Sequence, residues 1–191
     1  MKDLTENEFD LSLSLGDRTD IAAFESGFDN CISLQNLKKD HRSTERLIGL
    51  GFRCWLCGIR QRDAGLFELC CNRYMQHFGT CDGILLSNEL GYWTEALAMF
   101  SNRQFEILDG TALGFSRDEV VAVSMVAAAQ HAECPALKSC IYAITQRAEF
   151  EHLEHATDEF ASTLTNSGHI LSSDAILAPL MNMAGTSKMK H

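Results

Sequence analysis

The sequence predicts an all-α protein, folded as a single-domain bundle of about six or seven helices. Apolar residues recur at spacings of three and four through most of the 191-residue chain, as they do on the inner face of a helix. Helix start and stop signals separate these periodic segments, and the chain contains only 2 prolines. A chain of this length can bury a substantial core, and no linker rich in Pro, Gly or Ser divides it.

The chain divides into three parts by composition. Residues 1–40 are predicted to form an acidic N-terminal arm and a loose helix, residues 41–184 the helical domain, and residues 185–191 a frayed C-terminal tail. No internal repeat is present, since the helical segments differ in length and share no common spacing.

The N-terminal arm has an alternation with a period of two, which favours an extended strand over a helix. Its apolar positions are Phe9, Leu11, Leu13 and Leu15. The other short alternation is at residues 105–107, so the arm is expected either to pair with it as a minor two-strand ribbon or to be a disordered tail. The run Leu11-Ser-Leu13-Ser-Leu15 also resembles the Leu-x-Leu-x-Leu docking motif of plant repressor proteins. That resemblance implies a peptide that recruits a partner protein.

Three amphipathic helices are predicted between Ser43 and Phe100. Ser43 is a suitable N-cap for the first, whose inner stripe is Leu47, Leu50, Cys54 and Cys57. The second starts at Asp63 and stops at Gly79. The third has the most regular stripe: Leu86, Leu90, Trp93, Leu97 and Phe100.

The second half of the chain continues the helical pattern after a connection that ends at Phe115. Ser116 and Glu119 have the spacing of a capping box and start an apolar helix that runs to about His131. Pro135 suits the first turn of the next helix. A further helix is predicted to bury Leu153, Ala156, Phe160 and Leu164 and to end near Gly168, before a last short helix capped by Ser172 or Ser173.

Five of the eight cysteines lie in the first three of these helices, and two interpretations compete for them. Cys54 and Cys57 continue an apolar stripe, which predicts buried core thiols. The alternative is a redox or metal sensor, in which zinc would be the metal and its ligands would be Cys54, Cys57, Cys70 and Cys81. The second half of a zinc motif is irregular, because Cys70 is followed directly by Cys71 and Cys81 has no partner two residues away.

The net charge of −10 is unevenly distributed. Residues 1–40 contain four Lys or Arg and nine Asp or Glu, whereas residues 41–80 contain six arginines and three acids. This predicts a partner-binding arginine face, formed by Arg53, Arg60, Arg62 and Arg73. An acidic face is predicted on the helix near residue 150, formed by Glu149, Glu151, His152, Glu154 and His155. Glu149 and His152 have the spacing of a di-iron motif, but its second copy is missing, so a solvated face is the better interpretation.

No catalytic residue is predicted, because the sequence lacks a Gly-x-Ser-x-Gly motif, a glycine-rich phosphate loop and a His-Glu-x-x-His motif. The negative charge argues against nucleic-acid binding, and no apolar run reaches the length of a membrane span. The N-terminus does not resemble a secretory signal, so a cytoplasmic location is expected. The leading hypothesis is a cytosolic accessory or regulatory protein that binds another protein or a second copy of itself.

Overall fold

The computed structural model describes residues 21–35, 42–148 and 151–176 of the 191-residue chain. The described residues form seven main helices and no strand, which confirms the predicted all-α single-domain bundle. Their bounds are α1 Ile21–Gln35, α2 Arg42–Gln61, α3 Ala64–Phe78, α4 Thr80–Phe100, α5 Arg117–Gln130, α6 Cys134–Thr145 and α7 Glu151–Asn166.

Most of the predicted helix boundaries are confirmed. The side chain of Asp63 caps α3 by accepting a hydrogen bond from the backbone N–H of Gly65, and Gly79 ends that helix. Ser116 and Glu119 form the complete capping box at the start of α5. Helix α2 begins at Arg42, so Ser43 lies inside its first turn rather than at its cap.

The predicted ribbon is only partly within the described residues. Phe9 to Leu15, with the leucine motif, lies outside them, as does the tail from residue 185. Residues 105–107 form no strand and belong to the connection between α4 and α5.

Helix α2 lies at the centre of the bundle, where it contacts α1, α3, α4 and α5. Helix α5 is almost wholly enclosed, with every residue from Val121 to Ala128 buried. Helix α4 packs between α3 and α7 and also contacts α2. The α4–α7 contact is aromatic: the Trp93 ring stacks on Phe160 with centroids 5.4 Å apart, and its Nε1 donates to Thr157 Oγ1 at 3.0 Å.

Two glycines allow α4 to approach its neighbours closely. A Cβ at Gly83 would lie 2.4 Å from the Cα of Met75, so the α3 and α4 backbones are nearly in contact there. A Cβ at Gly91 would lie 2.6 Å from the indole of Trp55, which therefore packs directly on the α4 backbone. These contacts fix one side of α4 against α2 and α3, while the aromatic contact fixes another side against α7.

Candidate protein-binding surface

The predicted zinc ligands do not assemble into a four-cysteine site. Cys54, Cys57 and Cys70 are buried where α2 meets α3, whereas Cys81 is exposed at the start of α4. Within the described residues, no group of three or more His, Cys, Asp or Glu is arranged to hold a metal ion.

The buried thiols are also poorly placed for redox chemistry. A side-chain hydrogen bond with Cys70 that favours the protonated thiol, together with burial, raises the pKa of Cys54 well above its ordinary value. Burial raises the pKa of Cys57 even though Arg60 and Arg53 act to lower it. A reactive cysteine needs a lowered pKa, because the thiolate is the nucleophile. The contacts of these cysteines therefore favour the interpretation as core thiols.

Arg53 lies in the core and does not contribute to a surface. Its side chain is 0% exposed and pairs with the equally buried Glu119, with Nε 2.7 Å from Oε1. Its remaining N–H groups donate to the carbonyl oxygens of Asp109, Ala112 and Gly114. Arg53 thus anchors the connection between α4 and α5 and has no accessible surface with which to bind a partner.

The other three predicted arginines are separated from one another. Arg60 and Arg62 are exposed at the end of α2, where Arg60 donates to the carbonyl oxygen of Phe105 at 2.7 Å. Arg73 lies on α3, where its guanidinium pairs with Asp29 at 2.7 Å and with the side chain of Gln76. A continuous arginine face is therefore not formed by the predicted set.

An open groove of about 470 Å³ lies next to Arg73. Its lining is largely polar and consists of Glu25, Leu69, Asn72, Arg73, Met75, Gln76 and Thr80. The one arginine of this lining, Arg73, is already paired with Asp29 and Gln76, so the groove offers no free guanidinium to a ligand.

The predicted acidic face is on the outside of α7, except for Glu149, which lies outside the described residues. Glu151, His152 and His155 are exposed, and Glu154 is half-buried beside Lys138. The His152 ring stacks on Phe100 of α4 with centroids 5.7 Å apart. The acidic face thus continues directly onto the neighbouring α4.

Helix α4 exposes a row of large apolar side chains that the sequence pattern did not identify. Leu85, Tyr92 and Met99 are 48%, 68% and 75% exposed. They are seven residues apart, about two helical turns, so they lie in one line along the outside of the helix. We call these three residues the α4 stripe. The neighbouring Ile84, 42% exposed, adds to its apolar area.

Carboxylates flank the α4 stripe on both sides. Glu89 precedes Trp93 by four residues and so lies on the side of α4 that faces α7. Glu159 follows His152 by seven residues and lies on the side of α7 that faces α4. Glu95 follows Gly91 by four residues and so lies toward the opposite flank, near Trp55. We call the α4 stripe with these three carboxylates the α4–α7 surface.

The charge of this region is not balanced locally. Helices α4 and α7 contain seven carboxylates between them and neither Lys nor Arg: Asp82, Glu89, Glu95, Glu151, Glu154, Asp158 and Glu159. In the described part of the chain, Glu154 is the only one of the seven that meets a lysine or arginine, namely Lys138 at 3.5 Å. Burial raises the pKa of Asp158, and the charges of Glu154 and Glu159 act in the same direction.

A signal for the α4 stripe was present in the sequence. The predicted inner face, from Leu86 to Phe100, accounts for only part of the apolar content of α4, and Leu85, Tyr92 and Met99 fall on the opposite face. A helix that is apolar on two faces needs a second surface to cover it or leaves one face exposed. The regular spacing of Leu86 to Phe100 predicts which face the bundle covers, but the sequence alone does not say whether the other apolar face is covered as well.

Comparison with known proteins gives no relative: no family model, no curated protein and no solved structure matches this chain. A membrane-crossing helix is also absent from the described residues, since none there is both long and apolar enough.

Proposed function

We propose that this protein is a small helical accessory or regulatory protein that acts by binding another protein through the α4–α7 surface. The observation that supports this most is the α4 stripe, in which three large apolar side chains are exposed in line on one helix. Single exposed apolar residues are common, but an aligned group is typical of a surface that another molecule covers.

The location of the stripe strengthens the proposal. The opposite face of α4 holds Leu86, Leu90, Trp93 and Leu97, all 0% exposed, so the helix is firmly held in the bundle. A rigid helix that presents an apolar row loses little conformational entropy when a partner covers it. The carboxylates on both flanks supply the polar rim that protein interfaces usually have.

The test is affinity capture with the full chain from an extract of its native cells, followed by identification of the bound proteins. The double variant Tyr92→Asp with Met99→Asp should lose the specific partner, because it places two charges in the apolar row. We expect capture to fall by about tenfold or more, the usual effect of removing the centre of an interface. Both residues are exposed, so the helical circular dichroism should be unchanged.

Two matched variants serve as controls. Tyr142→Asp changes an exposed tyrosine, 58% exposed, on α6 and should leave capture unchanged. Arg60→Glu with Arg62→Glu tests the remaining part of the predicted arginine face and should also leave capture unchanged. If that arginine variant loses the partner and the α4 variant retains it, the binding surface is at the end of α2 and the present assignment is wrong.

A further inference from the structure

We infer that the element of the partner that covers the α4–α7 surface is a basic amphipathic helix. This inference rests on the protein-binding function proposed above and assigns the chemistry of the partner. It combines the shape of the apolar row with the charge on both sides of it.

The shape suits a helix packed alongside α4. From Leu85 to Met99 the α4 stripe extends over 15 residues, whose 14 helical steps span about 21 Å of helix axis. A partner helix of about four turns has the same length and can place apolar residues at spacings of three, four and seven against the row. The stripe projects from the outside of α4, so its side chains are free to fit between those of a partner helix.

The charge selects a basic partner. Glu89 and Glu159 lie along one flank of the row and Glu95 toward the other, and none of them meets a lysine or arginine in the described part of the chain. A helix with Lys or Arg on both sides of its apolar stripe would place a cation near each of these carboxylates. An acidic helix would bring like charges together at the rim, where contact with the apolar row excludes water.

The same charge argues against other occupants. A second copy of this chain carries the same net charge of −10 and would bring another acidic α4–α7 surface to a symmetric contact. The N-terminal arm has leucines at residues 11, 13 and 15, but residues 1–40 contain nine acids and only four bases. Nucleic acid and anionic membranes are repelled for the same reason.

The probe is a fluorescein-labelled synthetic helix of Leu and Lys, about 18 residues long, with leucines at spacings of three and four. It is titrated with the full chain and followed by fluorescence anisotropy. Two peptides serve as controls: one with every Lys replaced by Glu, and one with every Leu replaced by Ser. We expect the Leu/Lys peptide to bind, both controls to fail, and binding to weaken as salt is added.

Two variants of the protein separate the apolar and charged parts of the surface. Tyr92→Asp with Met99→Asp should raise the dissociation constant of the Leu/Lys peptide by about tenfold or more. Glu89→Lys with Glu95→Lys should also raise it, and should allow the Leu/Glu peptide to bind. Tyr142→Asp should change neither. Equal binding of the Leu/Lys and Leu/Glu peptides, or an unaltered constant in both double variants, would overturn the inference.

Three other results would each show that something else covers the α4–α7 surface, and each would overturn the inference. A dimer that dissociates in the Tyr92→Asp, Met99→Asp variant assigns the surface to a second copy. Tighter peptide binding after replacing Leu11, Leu13 and Leu15 with Asp assigns it to the arm of the same chain. Sedimentation with phosphatidylcholine vesicles, lost in the same α4 variant, assigns it to a lipid surface.

The two proposals fail in different ways. If the Leu/Lys peptide does not bind while affinity capture still depends on Tyr92 and Met99, the protein-binding function stands and the partner is not a basic helix. If neither the peptide nor the captured partner responds to the α4 variant, both proposals are wrong.

Discussion

The contacts of Arg53 decide how the connection between α4 and α5 is held. The guanidinium binds Glu119 through two hydrogen bonds, at 2.7 and 3.0 Å, and donates to three carbonyl oxygens of the connection. Glu119 in turn accepts from the backbone N–H of Leu108 at 3.1 Å and of Ser116 at 2.7 Å. Two residues that the sequence places 66 positions apart thus form two hydrogen bonds with each other and five with the backbone, and both side chains are fully buried.

Replacing Arg53 should destabilise the protein severely, because it leaves the Glu119 carboxylate charged and unpaired in the core. We expect Arg53→Met to lower the free energy of unfolding by about 3–5 kcal/mol in urea denaturation. The double variant Arg53→Met with Glu119→Gln should be more stable than Arg53→Met alone, since it removes the buried charge. The exposed Arg62→Met serves as control and should change stability by no more than about 0.5 kcal/mol. If the double variant were less stable than the single one, lost contacts rather than the unpaired charge would be the cause.

The cysteines differ in exposure, and their reactivity should follow. Burial raises the pKa of Cys140 to about 11, and the pKa values of Cys54 and Cys57 are also raised. Cys81 and Cys134 are exposed. The buried group is therefore held as thiols at neutral pH, and access as well as charge protects it.

Iodoacetamide labelling of the native protein, mapped by mass spectrometry, should modify Cys81 and Cys134 and spare Cys54, Cys57 and Cys140. After unfolding, all five should react, which provides the control within the same chain. A disulfide that joins Cys54 to Cys57 or Cys70 after mild oxidation of the folded protein would contradict this prediction and restore the sensor hypothesis.

At the scale of the helices, α4 differs from α5 in the use of its apolar residues. Helix α5 is surrounded and buries nearly its whole circumference, whereas α4 is held by α2, α3 and α7 and leaves one apolar line uncovered. Both helices are rich in apolar residues and each contacts three other helices, so the arrangement of the neighbours around each helix, rather than their number, decides whether those residues become core or surface.

The segment that follows α7 is held against the ends of three other helices. Gln130 of α5 accepts from the backbone N–H of Leu171 and donates to the carbonyl oxygen of His169. The His169 ring packs edge-on against Phe78 and lies 6.2 Å from the ring of His77, centroid to centroid. The titratable groups around this contact are therefore His77 of α3, His169 itself and Asp82 of α4.

This histidine contact should make the stability of the protein depend on pH. Burial lowers the pKa of both rings below the ordinary 6.5; His169 lowers that of His77 further, while Asp82 partly opposes the shift of His169. In the unfolded chain both rings take up protons near their ordinary pKa, whereas the folded state takes them up only at lower pH. The contribution of the two neutral histidines to the free energy of unfolding is therefore fully present above about pH 6.5, and it is lost as the pH falls below that value.

Urea denaturation at about pH 7.5 and 5.5 measures this effect. His169→Gln should reduce the difference in unfolding free energy between the two pH values. His155→Gln, which alters an exposed histidine of α7, should leave that difference unchanged. A difference of the same size in His169→Gln and the wild type would mean that other groups cause the pH dependence.

For the whole molecule, the fold separates charges that the sequence places near one another. Among the four arginines of the predicted face, Arg53 enters the core, Arg73 pairs with Asp29, and the other two lie at the end of α2, so these four form no single basic face. Glu89 of α4 and Glu159 of α7 are 70 positions apart in the sequence, yet the antiparallel contact of the two helices places them along one flank of the α4 stripe. The acidic side of the molecule is thus assembled by tertiary packing. The proposed binding of a basic helix depends on it.

The sequence by itself determined the all-α class and most helix boundaries, because caps and apolar spacing act within a few residues of one another. Asp63, Gly79 and the Ser116–Glu119 capping box are of this local kind. The buried stripes were determined in the same way, including the positions of Cys54 and Cys57 in the core.

Only the tertiary structure decided the role of Arg53 and the exposure of the α4 stripe. From its sequence neighbours Phe52 and Cys54, Arg53 could lie either at the surface or in the core. It is buried because the ion pair with the distant Glu119 offsets the cost of removing its charge from water. Leu85, Tyr92 and Met99 have the same apolar character as core residues, and they are exposed because α2, α3 and α7 cover only the other sides of α4. Local spacing defines the faces of a helix, whereas the arrangement of its neighbours determines which face meets water.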